Sequence, residues 1–555
     1  MQDTVPRAPR GEIVPGMSSR ETVPRVSVAE IAVGVALACW AAFPLVLLLL
    51  HAAALHARFT GADGLIGADG VLGADQLQYL AWIRDASTHG GLASDLFTLG
   101  PSGHVYLEPL FALSAALYRL GASLPLSYLL WKPLAVVALV ASAIAWARRA
   151  FADRLAARTS SVILTLFLST PLAALFSWTQ LGGGRFRFNL YLLGDEMLAA
   201  DKPWGYVPSA IALALVPASL LAVQRALEGD RARSPSRLAL RARAEPVPLL
   251  LGALAALLAS WLHPWQGISL VIIFCGLALV RRLRGAPALA VPAIAAGLPL
   301  LYYYVLPHVD PAWRIASHYE VIPRLPPLAL LAGLGPLAAI AAFGIRRPRG
   351  DVFETLLLLW PVASLVTYFV NNSFAPHALQ GLSVPLSVLM VRGWQRLRAG
   401  PLLGAVAICL ATVPGLAFNA RKFVVTAAGH EVQYYLTSSD AAALDWVAAH
   451  APPGGVLAPT PFAAVIPSQT GRPVWVGHGY WSNDYPVRAR EVDRLFGGRM
   501  SRTEARSFVR STGASILVSD CGHRHALTRA LGPLLASTHT FGCARVYLLR
   551  RPSPS

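Results

Sequence analysis

The acids in this chain are few and gathered. A polar, glycine-rich segment at 61–103 contains the near-repeats GADGLI, GADGVL and GADQLQ, which set Asp63, Asp69 and Asp75 six residues apart. Asp75 directly precedes QLQYLAWIRDA, a stretch that predicts an amphipathic helix with Leu77, Leu80, Ala81 and Arg84 near one face. A carboxylate there is placed to cap the helix and stays ionised. At a membrane surface it can accept a proton from a hydroxyl or hold a cation. Asp63 and Asp69 read as parts of a low-complexity linker.

A second acidic segment, 180–206, carries the pair Asp195 and Glu196 with Arg187 and Lys202 among aromatic residues. An acidic pair beside cations suits a site for a phosphate-bearing substrate. The same residues also suit a solvated loop with interfacial aromatics. Further cations suited to phosphate at headgroup level are His263, in a His-Pro-Trp break, and Arg314 and His318 in segment 308–327. Lys132 lies about one turn inside an apolar run, where a lysine faces a cavity or snorkels to the surface; snorkelling is the expectation. No zinc-ligand spacing and no Walker or dinucleotide glycine pattern occurs.

These candidates need a scaffold, and the composition says which kind. Of 555 residues, 55% are hydrophobic and 14% charged, against about 25% charged in soluble domains. Eleven apolar runs are long enough to be spans or short paired spans: 31–55, 124–146, 161–179, 206–223, 247–262, 266–280, 286–306, 328–345, 353–370, 379–391 and 401–418. The formal charge of +18 does not point to nucleic acid, because the arginines cluster in short segments between these runs. With the N-terminus inside, the inner loops 147–158, 225–245, 281–285, 346–351 and 392–400 are all basic, and the outer loops hold most of the acids. Segment 104–121 contains Glu108 and Arg119 and would invert every later loop if it crossed, so it is expected to lie at the outer surface.

Beyond about residue 428 the apolar runs shorten and Pro, Gly and charges rise. Strands are expected in VLAP, RPVWVG, SILVSD and ARVYLLR, with helices near 485–497, 501–512 and 523–535. Cys39, Cys275 and Cys409 lie in apolar runs and read as inert core residues. Cys521 and Cys543 lie in the C-terminal part, where export would permit a disulfide. The expected organisation is a disordered cytoplasmic N-terminus (1–27), a transmembrane domain (28–427) with outer loops 56–123, 180–205 and 307–327, and an extracytoplasmic α/β domain (428–555).

The acid before an aromatic helix (DQLQYLAW), the helix near GluProLeu and the acidic second loop resemble the GT-C class of integral membrane glycosyltransferases. So do the His-Pro turn, the C-terminal domain and the stretch 466–496. That class includes protein mannosyltransferase-like and aminoarabinose-transferase-like enzymes. The resemblance implies an α-helical polytopic membrane protein of about eleven transmembrane helices with an exported C-terminal α/β domain. It implies sugar transfer from a polyprenyl-phosphate donor to a glycan, lipid or protein acceptor on the outer face of the cytoplasmic membrane. By position Asp75 takes the role of base or metal-associated carboxylate, and Asp195 and Glu196 map to the acidic second loop. The class allows a divalent cation, Mg or Mn, with Asp75 as its ligand; residue 77 is Leu, so the usual second acid is missing. A transporter or lipid flippase is the alternative, but no internal repeat of span pairs is found, and the ionisable residues sit in loops. A non-catalytic envelope-assembly protein is a third reading, in which Asp75 is only a cap.

Overall fold

The computed structural model describes residues 26–65, 71–233, 245–283, 286–319, 324–348, 350–371, 373–398 and 400–550. Asp69 and residues 1–25 of the expected disordered N-terminus (1–27) lie outside them.

Helix α1 (Val28–Ala54) starts at a capping box: the Ser27 hydroxyl accepts from Glu30 N, and Glu30 reaches back to Ser27 N at 2.8 Å. Next come α2 (Val71–Thr88), α3 (Pro109–Arg119), α4 (Leu124–Leu129), α5 (Trp131–Phe151), α6 (Leu155–Phe167), α7 (Pro171–Thr179), α8 (Gly184–Met197) and α9 (Val207–Arg233). Then follow α10 (Pro246–Leu262), α11 (Pro264–Val280), α12 (Ala286–Val309), α13 (Pro311–Tyr319), α14 (Pro327–Gly344), α15 (Val352–Val370), α16 (Ser383–Arg396) and α17 (Pro401–Ala428). The apolar runs of the sequence are therefore helical, apart from breaks at 168–170 and 380–382. Among the described residues seven helices, counting α4–α5 as one, are long and apolar enough to cross a membrane, and the bent pair α6–α7 makes eight. α10 and α11, at 17 residues each, and α16, at 14, are shorter. With 11 residues, α3 is about 16 Å long. It is too short to span and packs on α2.

Helices of the bundle approach closely where glycine allows it. A Cβ on Gly344 would fall 1.9 Å from the Leu389 carbonyl oxygen, and one on Gly393 2.0 Å from that of Ile340. These contacts lock α14 to α16 by backbone packing, the usual device between helices in lipid. Cys39, Cys275 and Cys409 are exposed on the bundle surface, not in its core.

The C-terminal part builds a four-stranded sheet in the order β3 (Val456–Leu457), β4 (Ile516–Ser519), β6 (Ala544–Leu549), β5 (Leu535–Phe541). β3–β4 is parallel and the other pairs are antiparallel. Around it lie α18 (Ser438–His450), α19 (Ile466–Thr470), α20 (Tyr485–Phe496), α21 (Arg502–Thr512) and α22 (Thr528–Leu531). RPVWVG contributes only a single bridge, Val474 to Val456. The helix expected over 523–535 shrinks to α22 and one 3-10 turn, because the chain turns there into β5, a strand with alternating burial. Cys521 and Cys543 form a disulfide.

The described residues of segment 56–106, 56–65 and 71–106, lie between the bundle and this α/β part. β1 (Arg58–Phe59) pairs antiparallel with β2 (Tyr435–Leu436), Arg58 meets Asp445 in a two-pronged ion pair, and Arg84 donates to the Ser468 carbonyl at 2.8 Å. Trp481 packs edge-on against Trp82 and Trp313 with ring centres 5.1 and 4.5 Å away. The one-faced helix expected after Asp75 is therefore enclosed on nearly all sides, with Leu77, Leu80, Ala81, Trp82 and Ile83 all buried.

Candidate functional site

Asp75 does not cap α2. The helix begins at Val71, so Asp75 sits inside it, one turn in, and its carboxylate projects sideways. Oδ2 accepts the Tyr206 hydroxyl at 3.0 Å, and Oδ1 lies 2.9 Å from Nε2 of His478. The His478 tautomer follows from its other nitrogen. Nδ1 accepts the Tyr480 N–H at 3.1 Å, so in the neutral ring the proton is on Nε2 and points at Asp75. His478 is fully buried, and the loop around it is held by the Ser482 hydroxyl, which accepts from Gly477 N and His478 N and donates to the Phe97 carbonyl. Burial, and then the Asp75 charge, raise the Tyr206 phenol well above its usual pKa, so it remains a donor. The Asp75 side chain itself is 19% exposed. It is an anion with two oriented donors and an open edge.

Directly behind it lies an unexpected ion pair. Asp63, expected to be linker, is fully buried; it accepts from Gln76 Nε2 at 3.0 Å and pairs with the Lys132 ammonium. Gln76 Oε1 in turn accepts the Asp63 and Gly64 N–H groups at 2.6 and 2.8 Å. Lys132 is 6% exposed, with the Ala41 carbonyl as further acceptor at 3.2 Å. It does not snorkel, because a buried partner removes the reason to reach water. The pair fixes the first turns of α2, and thereby the Asp75 backbone.

A second cluster surrounds the end of α8. Glu196 Oε2 accepts Gln380 Nε2 at 2.6 Å and lies 3.1 Å from Nδ1 of His377. The Lys202 ammonium sits between Glu196 at 3.8 Å and Asp195 at 3.9 Å. Burial alone would raise the Glu196 pKa, but the His377 and Lys202 charges and the His377 and Gln380 hydrogen bonds more than offset it and hold it well below the carboxylate range. Burial moves Asp195 the other way, upward, against the pull of Lys202. Asp201, reached by Trp40 and Asn419, is raised to about 7 by burial and by the Asp195 charge. His263 joins from the break between α10 and α11, with its ring 5.3 Å from that of His377. It is 3% exposed and neither ring nitrogen has a hydrogen-bond partner. Burial depresses its pKa well below the imidazole range, so it is neutral. The turn 198–206 links the two clusters: Tyr206 N donates to the Lys202 carbonyl at 3.0 Å.

The site residues expected from the sequence thus divide. Asp75 heads one cluster with Lys132 behind it; Asp195, Glu196, Lys202 and His263 form the other. Arg187, Arg314 and His318 join neither, and their hydrogen bonds run to the nearby carbonyls of Gln180 and Gly182, of Pro307 and His308, and of Arg314. Tyr206 and Gln380 were not among the expected site residues. His478 lies in the stretch 466–496 that carries the resemblance, but had no role assigned to it. A cation at Asp75 does not fit this donor set, because both carboxylate oxygens face N–H or O–H donors. Among the described residues, the only group of three or more clustered metal-ligating side chains lies elsewhere.

The fold is that of a polytopic helical membrane protein and is GT-C-like. The Archaeoglobus fulgidus oligosaccharyltransferase in its apo form superposes with a TM-score of 0.51 at 12% identity over 90% of this chain and 71% of that chain. The same enzyme tethered to an acceptor peptide gives 0.50 at 12% identity, over 90% of this chain and 70% of that chain. ArnT from Cupriavidus metallidurans bound to undecaprenyl phosphate gives 0.44 at 14% identity, over 94% and 97%. No protein-family model matches the sequence, and no curated protein matches it.

Proposed function

We propose that this chain is a membrane glycosyltransferase that moves a sugar from a polyprenyl-phosphate donor to a glycan, lipid or protein acceptor on the outer face of the cytoplasmic membrane, with the α/β part outside. The observation that carries the reading is the Asp75 carboxylate, partly open and oriented by two donors. In the proposed reaction the acceptor hydroxyl oxygen bonds to the anomeric carbon and its proton passes to Asp75. The bond from that carbon to the phosphate oxygen breaks, and polyprenyl phosphate leaves with the electron pair. One base opposite one leaving group gives inversion.

His478 and Tyr206 are positioning residues that aim the carboxylate. The second cluster is assigned to the donor phosphate. Lys202 keeps ammonium protons that its two long ion pairs do not saturate. His263 is a buried polar ring without a partner, which costs about 1–3 kcal/mol until one arrives. A phosphate or sugar oxygen supplies that partner. Arg187, Arg314 and His318 add positive charge where a lipid headgroup would approach. The disulfide and the basic loops 147–158 and 392–400 support the orientation.

The test is transfer of radiolabelled sugar by the purified protein from a panel of defined polyprenyl-phosphate sugars into membrane extract. Label in a new product supports the reading. Absence of transfer from any lipid-linked donor, with movement of such a lipid across proteoliposomes, would replace it with a transporter.

A further inference from the structure

We infer that Asp85, His89 and His104 form a second functional site, a binding site for a divalent ion of the zinc type. Asp85 and His89 are four residues apart on α2 and therefore one above the other on the same side of the helix. His104 arrives from the following loop, which is folded back by the reciprocal backbone pair of Ala93 and Tyr106 at 2.8 and 3.0 Å. Asp85 Oδ1 lies 3.1 Å from His89 Nδ1 and 3.3 Å from His104 Nε2, and all three ligand atoms fall within 4.8 Å of one another. An ion with four tetrahedral ligands at 2.0–2.1 Å needs edges of about 3.3 Å, so the two carboxylate–imidazole edges already fit.

The carboxylate is prepared for the role. Its other oxygen, Oδ2, accepts Ser94 N at 2.7 Å and the Ser94 hydroxyl at 2.9 Å, which turns Oδ1 toward both imidazoles. Such outer hydrogen bonds orient ligands in metal sites. Asp85 is 9% exposed while His89 and His104 are 42% and 36% exposed, so an ion has an approach from solvent. The two rings stack at 3.4 Å between centres, an arrangement that would be repulsive with both charged. His89 Nδ1 also lies 2.9 Å from the Asp85 carbonyl and 3.1 Å from the Thr88 hydroxyl, contacts that ion binding would replace. Two imidazoles and one carboxylate favour zinc or cobalt over magnesium or manganese, and three ligands leave a fourth position for water or an anion oxygen. Ten residues of helix separate Asp85 from Asp75, about 15 Å. The ion would tie the far end of α2 to loop 89–106 and take no part at Asp75, so the inference does not depend on the proposed reaction.

The experiment uses the full chain without a histidine tag, stripped with chelator and titrated with Zn2+ and Co2+ by calorimetry and visible absorption. The expected result is one ion per chain and a cobalt band. His89→Ala and His104→Ala each weaken binding more than about 10-fold, and Ser94→Ala weakens it less. Asp75→Asn leaves binding unchanged. Both histidines are exposed, and monodisperse elution with unaltered far-UV dichroism confirms that their variants fold. No binding of either ion by the unmutated chain, binding retained in the His89/His104 double variant, or binding lost in Asp75→Asn each overturns the inference.

Discussion

Asp75 and Glu196 are both carboxylates within reach of an imidazole, yet their surroundings handle charge in opposite ways. Asp75 faces the Nε2 of a buried histidine and a phenol and keeps an open edge. Glu196 is closed in by Gln380, His377 and the Lys202 ammonium, beside the carboxyl of Asp195. A carboxylate held by one ring nitrogen and one phenol, with an edge left open, can take up a proton without rebuilding its neighbours. An anion already compensated by cations cannot do so readily, but it can hold a lysine in place for a third partner. We therefore assign proton transfer to the first and phosphate binding to the second.

Four substitutions test this division. Asp75→Asn keeps the shape and both oxygen-side contacts in part, but removes the base; turnover is expected to fall about 10²–10⁴-fold with donor affinity unchanged. Lys202→Met leaves two carboxyls facing each other and removes the phosphate ligand. Donor affinity is expected to weaken by roughly 10–100-fold, the order of one hydrogen bond between charged partners, with a smaller change in turnover at saturation. An equal loss in both quantities would merge the two sites. His478→Ala should reduce turnover by about 10-fold, the order of one charge-assisted hydrogen bond, and His478→Gln, which keeps an N–H donor, should recover part of it. A purely structural role would not distinguish the two variants.

The smallest effect concerns stability and lies outside both sites. Glu108 caps α3 through Phe111 N, and burial raises its pKa from 4.5 to about 8. The folded state then holds a proton that the unfolded state has released, so stability falls as pH rises from about 4.5 to about 8. Glu108→Gln keeps an acceptor for the cap and cannot ionise. Its melting temperature at pH 8 is expected to exceed that of the unmutated chain, with no gain at pH 4.5.

Helix positions were legible because hydropathy is a local signal: the apolar runs became helices, and the 104–121 segment held only the short α3. Asp75, Asp195, Glu196, Lys202 and His263 were also visible, as polar residues in places that are costly for them. Their partners were not. His478 meets Asp75 across 403 residues, and His377 meets Glu196 across 181. Nothing local reports such a contact. Lys132 was misread for the same reason, since its partner Asp63 is 69 residues away in a segment that resembles a linker. Asp75 is not a cap because α2 starts a turn earlier, at Val71. Asp85 and His89 were hidden by the search for zinc-type spacing, since their third member comes from a separate loop.

The most direct test is a single-turnover measurement with a donor identified in the transfer assay, comparing the unmutated chain with Asp75→Asn while donor binding is measured in parallel. The account predicts rapid release of polyprenyl phosphate from the unmutated chain, and from the variant full donor binding with release slowed at least about 100-fold. Equal release rates from the two proteins would contradict it.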